Sequence, residues 1–389
     1  MQVARRVKNI KPSLTLEVTS LAKKMKAEGK SVIDFAAGEP DFDTPEYIKN
    51  AAIEAIHKGF TKYTPATGFL KLKEAITAKL ERDNGLKYLP EQIVVSCGAK
   101  HTLYNLLQVL CEEGDEVIFS SPYWVSYPEM VNLSGARSRI IEADAKNDFK
   151  LNKENLKANI NKKTKVFIIN SPGNPTGLVY SREELVQLAE TAMQYGLCVI
   201  SDEIYEKLIF DGKKHVSFAS LSKEIYARTI IVNGVSKSYA MTGWRIGYMA
   251  GSDAQIIKSV GELQSHSTSN PCSISQMAAL AAINNTEHNQ MQAMVEEFEK
   301  RRDCMLSGLQ EIPRLSFVRP EGAFYVFCNI SRTGLNSADF SQRLLREAEV
   351  AAVAGEAFGR DDSIRLSFAT NIAQISEGTK RLKQWVAKL

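Results

Sequence analysis

Lys237 stands in the run Val235-Ser236-Lys237-Ser238-Tyr239-Ala240-Met241-Thr242-Gly243-Trp244-Arg245, among small, hydroxylic and apolar neighbours. A lysine kept from bulk water has a depressed pKa, and the neutral amine so favoured condenses with an aldehyde. Eight residues on, Arg245 carries a charge suited to neutralising a phosphate. For a lysine and an arginine taken alone, a surface charge pair is the default. The glycine and aromatic residues leading directly into the apolar segment Gly247–Ala250 argue for a site instead.

Other constellations carry chemistry of a compatible kind. Ser201-Asp202-Glu203-Ile204-Tyr205 follows the apolar run Leu197–Ile200. A carboxylate at the end of a buried strand is costly unless paired. A protonated pyridine nitrogen is one suitable partner, and Asp202 would keep such a ring cationic as an electron sink. Capping of a following helix fits the pentapeptide equally well. Asn170-Ser171-Pro172-Gly173-Asn174-Pro175-Thr176-Gly177 has turn composition, and its prolines and glycines bracket the Asn174 amide at a strand's carboxyl end. Ser96-Cys97-Gly98-Ala99-Lys100 links a strand to a helix, where small residues let N–H groups approach an anion. Neither GxxxxGK[ST] nor GxGxxG is present, which weighs against nucleotide and nicotinamide cofactors. Pro122-Tyr123-Trp124 brings an indole to the end of another strand, fit for stacking on a planar ring or for a core role.

The elements that must position these residues alternate. Strands are expected at Ile93–Ser96, Glu116–Ser120, Val166–Asn170, Leu197–Ser201, Thr229–Val232 and Gly247–Ala250. Helical periodicity covers Leu70–Asp83, Lys100–Cys111, Arg182–Tyr195 and Gln276–Asn284. This predicts an α/β fold with a mostly parallel central sheet covered by helices on both faces. Ligands then sit at the carboxyl ends of the strands. Beyond residue 285 the pattern turns to a smaller α+β module: a long charged helix, short strands and a final amphipathic helix. The expected division is residues 1–45 packing on the small domain, 46–284 as the large domain, and 285–389 as the small domain.

Bulk properties bound the function. Of 389 residues, 44% are hydrophobic and 24% charged, which is close to the average for a soluble globular protein. A net charge of +4 gives no reason to invoke nucleic acid or an anionic membrane. Arg5, Arg6, Lys8 and Lys11 read as a solvated edge. No secretory h-region and no apolar run of membrane-spanning length occurs, so a cytoplasmic protein is expected. The six cysteines are scattered without a CxxC pair, which suggests core residues in a reducing compartment and no metal site.

Taken together, AGEPDF, YxPxxG, GAK, PYW, NPTG, DEIY, SKSYAMTGWRIGY and IRLSFAT, in this order over nearly the whole chain, resemble the fold-type I enzymes dependent on pyridoxal 5′-phosphate (PLP). Within these the chain is similar to class I aminotransferases, especially the bacterial aspartate aminotransferases, several of which also use prephenate. The resemblance implies the PLP-dependent transferase fold and a ping-pong exchange between L-aspartate and 2-oxoglutarate. Lys237 then matches the Schiff-base lysine, Asp202 the partner of the pyridinium nitrogen, and Asn174 and Tyr205 the donors to the ring's phenolic oxygen. Trp124 matches the stacking residue, and Gly98, Ala99, Lys100, Ser236 and Arg245 the phosphate cup. Tyr63 matches a tyrosine reaching the partner subunit's phosphate, which implies a homodimer with shared active sites. Arg365 matches the clamp on the substrate α-carboxylate, where a planar fork suits bidentate pairing. Gly38 lines the same end, and Lys11 matches a lysine linked to dicarboxylic substrates such as prephenate.

Two departures stand out. Gly234 replaces a serine found in the best-known aspartate aminotransferases three residues before the lysine, and Ser265 falls where those enzymes place an arginine for the distal carboxylate. Alanine, aromatic or kynurenine transamination and C–S lysis remain alternatives on the same scaffold. A PLP-binding regulator without turnover is a third, for which no added DNA-binding domain is seen.

Overall fold

Strands buried on both faces read as unbroken apolar runs, and the centre of the chain supplies them. The computed structural model describes residues 2–8, 10, 14–287 and 289–389. After a short first strand, β1 (Ile33–Asp34), come β2 (Ile93–Ser96), β3 (Glu116–Ser121), β4 (Arg137–Glu142), β5 (Thr164–Asn170), β6 (Cys198–Asp202), β7 (Thr229–Gly234) and β8 (Gly247–Ala250). The last seven form one sheet in the order β2-β8-β7-β6-β5-β3-β4. All run parallel except β8, which opposes both of its neighbours. Every residue of β2, β7 and β8 is buried.

Register decides where chemistry can occur. Asn170 pairs beside Asp202, and Asp202 beside Val232, so β5 and β6 end level and β7 runs two residues further, to Gly234. Because β8 is reversed, its first residue, Gly247, lies opposite both Ser96 and Gly234. The loop carrying Lys237 and Arg245 therefore leaves and re-enters the sheet at the same edge as the segments Gly98–Lys100, Asn170–Gly177 and Asp202–Tyr205.

Expected and observed elements differ in instructive places. β4 was not anticipated: it is the edge strand, and its exposed Arg137, Arg139 and Glu142 break the apolar signal while blunting the edge against further pairing. The helices Glu46–His57, Ser126–Leu133 and Ala254–Ser267 were also absent from the expectation. Pro128 is tolerated because it falls in the first turn of its helix. Gly261 sits mid-helix, where an added Cβ would lie 2.8 Å from the Thr67 side chain. Close packing accounts for that glycine.

The remaining strands are β9 (Ser316–Phe317), β10 (Tyr325–Asn329), β11 (Val350–Ala351), β12 (Val353–Ala354) and β13 (Ser363–Ser367). A second, antiparallel sheet runs β12-β13-β10-β9, while β1 pairs in parallel with β11. Helices Asn289–Gln310, Ser337–Ala348 and Ile372–Val386 accompany it. The last begins at Asn371, whose side chain accepts from Gln374 N, an ordinary N-cap. It buries Ile375, Leu382, Trp385 and Val386, with Trp385 edge-on to Phe340 at 4.9 Å. Phe35, just after β1, belongs to the same core as Phe298, Phe324 and Phe368. Among the described residues no helix is long and apolar enough to cross a membrane.

Candidate active site

Beyond β7 the chain turns sharply and presents Lys237. Its Nζ donates to Gly38 O at 2.6 Å and lies 5.8 Å and 5.6 Å from the ring centres of Tyr205 and Phe324. Burial pushes the Lys237 ammonium down to about 8. Glu39 opposes that shift, while Arg365, Arg245 and Lys100 add to it. The result is an amine largely neutral in mildly alkaline solution, the form needed to attack a carbonyl carbon.

Asp202 closes β6 and is buried. Its Oδ2 accepts from Tyr127 Oη at 2.7 Å and its Oδ1 from Ile204 N at 3.3 Å. It caps no helix, since residues 204–207 form a turn. Burial raises its carboxyl to about 6 against the pull of those two donors, with Glu203 adding to the rise. Such a group gains from a cation brought against it. Asn170 ties the neighbouring loop to this strand: its Nδ2 donates to Asp202 O at 2.9 Å and its Oδ1 accepts from Asn174 N at 2.9 Å.

An anion cup forms where β2 gives way to the helix Ala99–Leu110. Gly98 is its N-cap at φ 91°, and a Cβ there would overlap the Arg245 guanidinium. A Cβ on Gly247 would strike the Ala99 backbone. Glycine at both positions lets the helix N-terminus and Arg245 converge. Arg245 is held in the left-handed region at φ 56°, with Nη1 donating to Thr242 O at 2.9 Å. Lys100 Nζ lies 5.0 Å over the Trp124 ring, and both desolvation and Arg245 lower its pKa. Ser236 is buried beside Lys237. Two crowded cations at a helix N-terminus favour a phosphate between them.

Arg365 is 3% exposed. Its Nη1 donates to Asn174 Oδ1 at 3.2 Å and its Nη2 to Ala36 O at 2.9 Å, while its buried Nε has no partner. Neither acceptor is charged. A buried guanidinium with a free donor and only neutral acceptors is a receptor for a carboxylate. Gly38 adjoins it, its missing Cβ 3.9 Å from Tyr325 Oη. Tyr63 stands apart, 89% exposed. Ser265 turns its hydroxyl back to Glu262 O at 2.7 Å. Lys11 lies outside the described residues.

The pattern of the family described as aminotransferase class I and II matches residues 30–382. Aspartate aminotransferase of Bacillus subtilis is 48% identical over 100% of both chains. A probable aspartate/prephenate aminotransferase of Rickettsia prowazekii is 45% identical over 98% of each. The solved aspartate aminotransferase of Thermus thermophilus with maleate superposes with a TM-score of 0.95 at 40% identity, covering 99% of both chains. The chain belongs to the class I and II aminotransferases.

In this aminotransferase the sequence-derived residues Lys237, Asp202, Asn174, Tyr205 and Arg365 converge, and Gly98, Ala99, Lys100, Trp124, Ser236 and Arg245 gather around the cup. Others were missed. Tyr127 carried a weak signal, three residues past Trp124 at the start of the helix Ser126–Leu133. Asn170 ends an apolar strand, the position already given weight for Asp202. Tyr325 and Phe324 gave none, because aromatic residues opening a strand read as core.

Proposed function

We propose that this aminotransferase moves the amino group of L-aspartate to 2-oxoglutarate in a ping-pong cycle, with PLP as cofactor. Pyridoxal phosphate supplies an aldehyde to carry the amino group and a ring that, kept protonated, draws electrons from the substrate's Cα. The donor set fits it: a cup whose missing Cβ atoms leave room, a buried carboxylate short of a cation, and a desolvated lysine.

We assign each residue a task on this reading. Arg245 and the N–H groups after Gly98 hold the phosphate, aided by Ser236 and Lys100. Asp202, fixed by Tyr127, holds the proton on the ring nitrogen. Trp124 covers the ring's face, while Asn174 and Tyr205 donate to its phenolic oxygen. Arg365 grips the substrate α-carboxylate beside Gly38. Lys237 Nζ, desolvated and hydrogen-bonded to Gly38 O, would take up the proton released from the substrate Cα and hold it for return to the product. The same groups run the reverse steps with 2-oxoglutarate.

Arg365 carries the reading, as a buried guanidinium with an unpaired donor beside Lys237 and Asn174. Aspartate as donor is supported by the Bacillus aspartate aminotransferase and by the Thermus enzyme solved with maleate. The Rickettsia relative, a probable aspartate/prephenate aminotransferase, favours prephenate as a second acceptor, and Lys11 is the residue proposed to serve such dicarboxylic substrates. The exposed Tyr63, with Ile53 and Ile56 also exposed, supports a homodimer in which Tyr63 reaches the other copy's phosphate. Six free cysteines suit a cytoplasmic setting. The two sheets support a large domain of residues 46–284 and a small one of 285–389 joined by residues 1–45. The test is turnover with aspartate and 2-oxoglutarate, then glutamate and prephenate, against alanine and aromatic donors. Activity confined to apolar donors would overturn the substrate assignment.

A further inference from the structure

Tyr325 opens β10 with no exposed surface and touches both halves of the site. Its hydroxyl is 3.1 Å from the Tyr205 hydroxyl, and the two rings meet edge-on at 82° with centres 6.1 Å apart. Its ring face receives the Arg365 guanidinium at 4.3 Å. Register explains the contact: Tyr325 pairs with Ser367 and Phe327 with Arg365, so Tyr325 and Arg365 are diagonal neighbours on one sheet face.

A tyrosine hydroxyl has one proton to give. If Tyr205 donates to the cofactor's phenolic oxygen, it cannot also donate to Tyr325. The 3.1 Å bond must then run from Tyr325 to Tyr205. Both rings are buried, so water does not compete for that bond. A hydroxyl that accepts one hydrogen bond donates more strongly in the next.

We propose that Tyr325 is a positioning residue, which orients Tyr205 as a donor and strengthens its bond to the cofactor's phenolic oxygen. It acts from the same sheet face that carries Arg365, so the substrate carboxylate and the ring oxygen share one aromatic neighbour. This rests on the reading of Tyr205 as a ligand of the cofactor ring.

The test uses the PLP-loaded enzyme without substrate, titrating its visible absorbance from pH 5 to 9. Loss of a donor leaves the ring oxygen's charge less compensated, so the nearby proton is held to higher pH. Tyr325→Phe is expected to raise the midpoint by about half to one pH unit, the effect of one neutral hydrogen bond. Tyr205→Phe should raise it further, and the double variant should match Tyr205→Phe alone. Tyr325→Phe keeps the ring under Arg365, so KM for aspartate should stay within about threefold of wild type. An unchanged midpoint in Tyr325→Phe, with Tyr205→Phe shifted, would overturn the proposal and leave the cofactor reading standing. Additive shifts in the double variant would overturn it too. If Tyr205→Phe itself leaves the midpoint in place, the assignment of Tyr205 fails and the proposal falls with it.

Discussion

Tyr127 donates its hydroxyl to Asp202 Oδ2 at 2.7 Å, and both side chains are shut away from water. Two neutral donors, Tyr127 Oη and Ile204 N, do not offset the cost of burying a carboxylate, and burial lifts Asp202 from 3.8 to about 6. The folded apoprotein thus holds the proton more tightly than the unfolded chain does, so its stability falls as pH rises between those values and stays low above them. Two pKa units correspond to about 3 kcal/mol. Asp202→Asn keeps an acceptor for Tyr127 without the charge. Its apoprotein should therefore be more stable than wild type by about 2–3 kcal/mol at pH 8, with little difference near pH 4. Denaturant midpoints at the two pH values measure this. Turnover should move the other way, falling by roughly 10²–10³-fold.

The Lys237 amine gives a second pH test. With its ammonium pushed down to about 8, the neutral form grows about tenfold per pH unit below that value and levels off above it. Covalent uptake of pyridoxal phosphate by the apoenzyme, followed by stopped-flow absorbance, should accelerate from pH 6 to about 8 and then flatten. Lys237→Ala should show no uptake that borohydride can fix, and turnover should drop by at least 10²-fold. Rates still climbing beyond pH 9.5 would mean that the lysine is not desolvated.

Much of this site was legible because its residues lie at strand ends, where apolar runs stop abruptly at Asp202, Asn170 and Ser96. Local composition also marked the glycines that let Arg245 approach the helix N-terminus. What stayed hidden depends on pairing across the chain. Nothing near Tyr325 announces that β10 and β13 set it against Arg365, or that Ala36 O receives the same guanidinium. The edge strand β4 was lost because its charges face solvent. The helices Glu46–His57, Ser126–Leu133 and Ala254–Ser267 were among those that escaped notice, because a proline, a glycine or short apolar spacing blurred their period. Periodicity reports burial along one element, whereas these contacts are made between elements distant in sequence.

Arg365 separates geometry from charge. Its planar fork can hold a carboxylate by two parallel bonds, which a lysine cannot reproduce. Arg365→Lys should lower kcat/KM for aspartate by roughly 10–150-fold, the value of one charge-assisted hydrogen bond. The cofactor absorbance of the resting enzyme should be unchanged, because Arg365 reaches it only through neighbours. A variant that retained wild-type kcat/KM would place the carboxylate elsewhere. Steady-state kinetics beside absorbance spectra distinguish the two outcomes.

Lys79 tests stability away from the chemistry. It lies on the helix Leu70–Asn84 at 4% exposure, ion-paired to Glu206 and 3.9 Å from Asp83. Asn84 Nδ2 donates to the same Glu206 at 3.1 Å. Burial alone would raise Glu206, yet Lys79, His215 and Lys207 together bring its carboxyl below the ordinary value. Lys79→Met fits the space but strands Glu206 as a buried charge with weaker compensation, at a cost of about 3–5 kcal/mol. The exposed pair of Lys58 and Glu54, at 2.7 Å, is shorter than the Lys79–Asp83 contact and still contributes little. Lys58→Ala should change stability by less than about 0.5 kcal/mol. Urea unfolding of the two variants decides the matter: equal effects would show that the buried network is not held together by its charges.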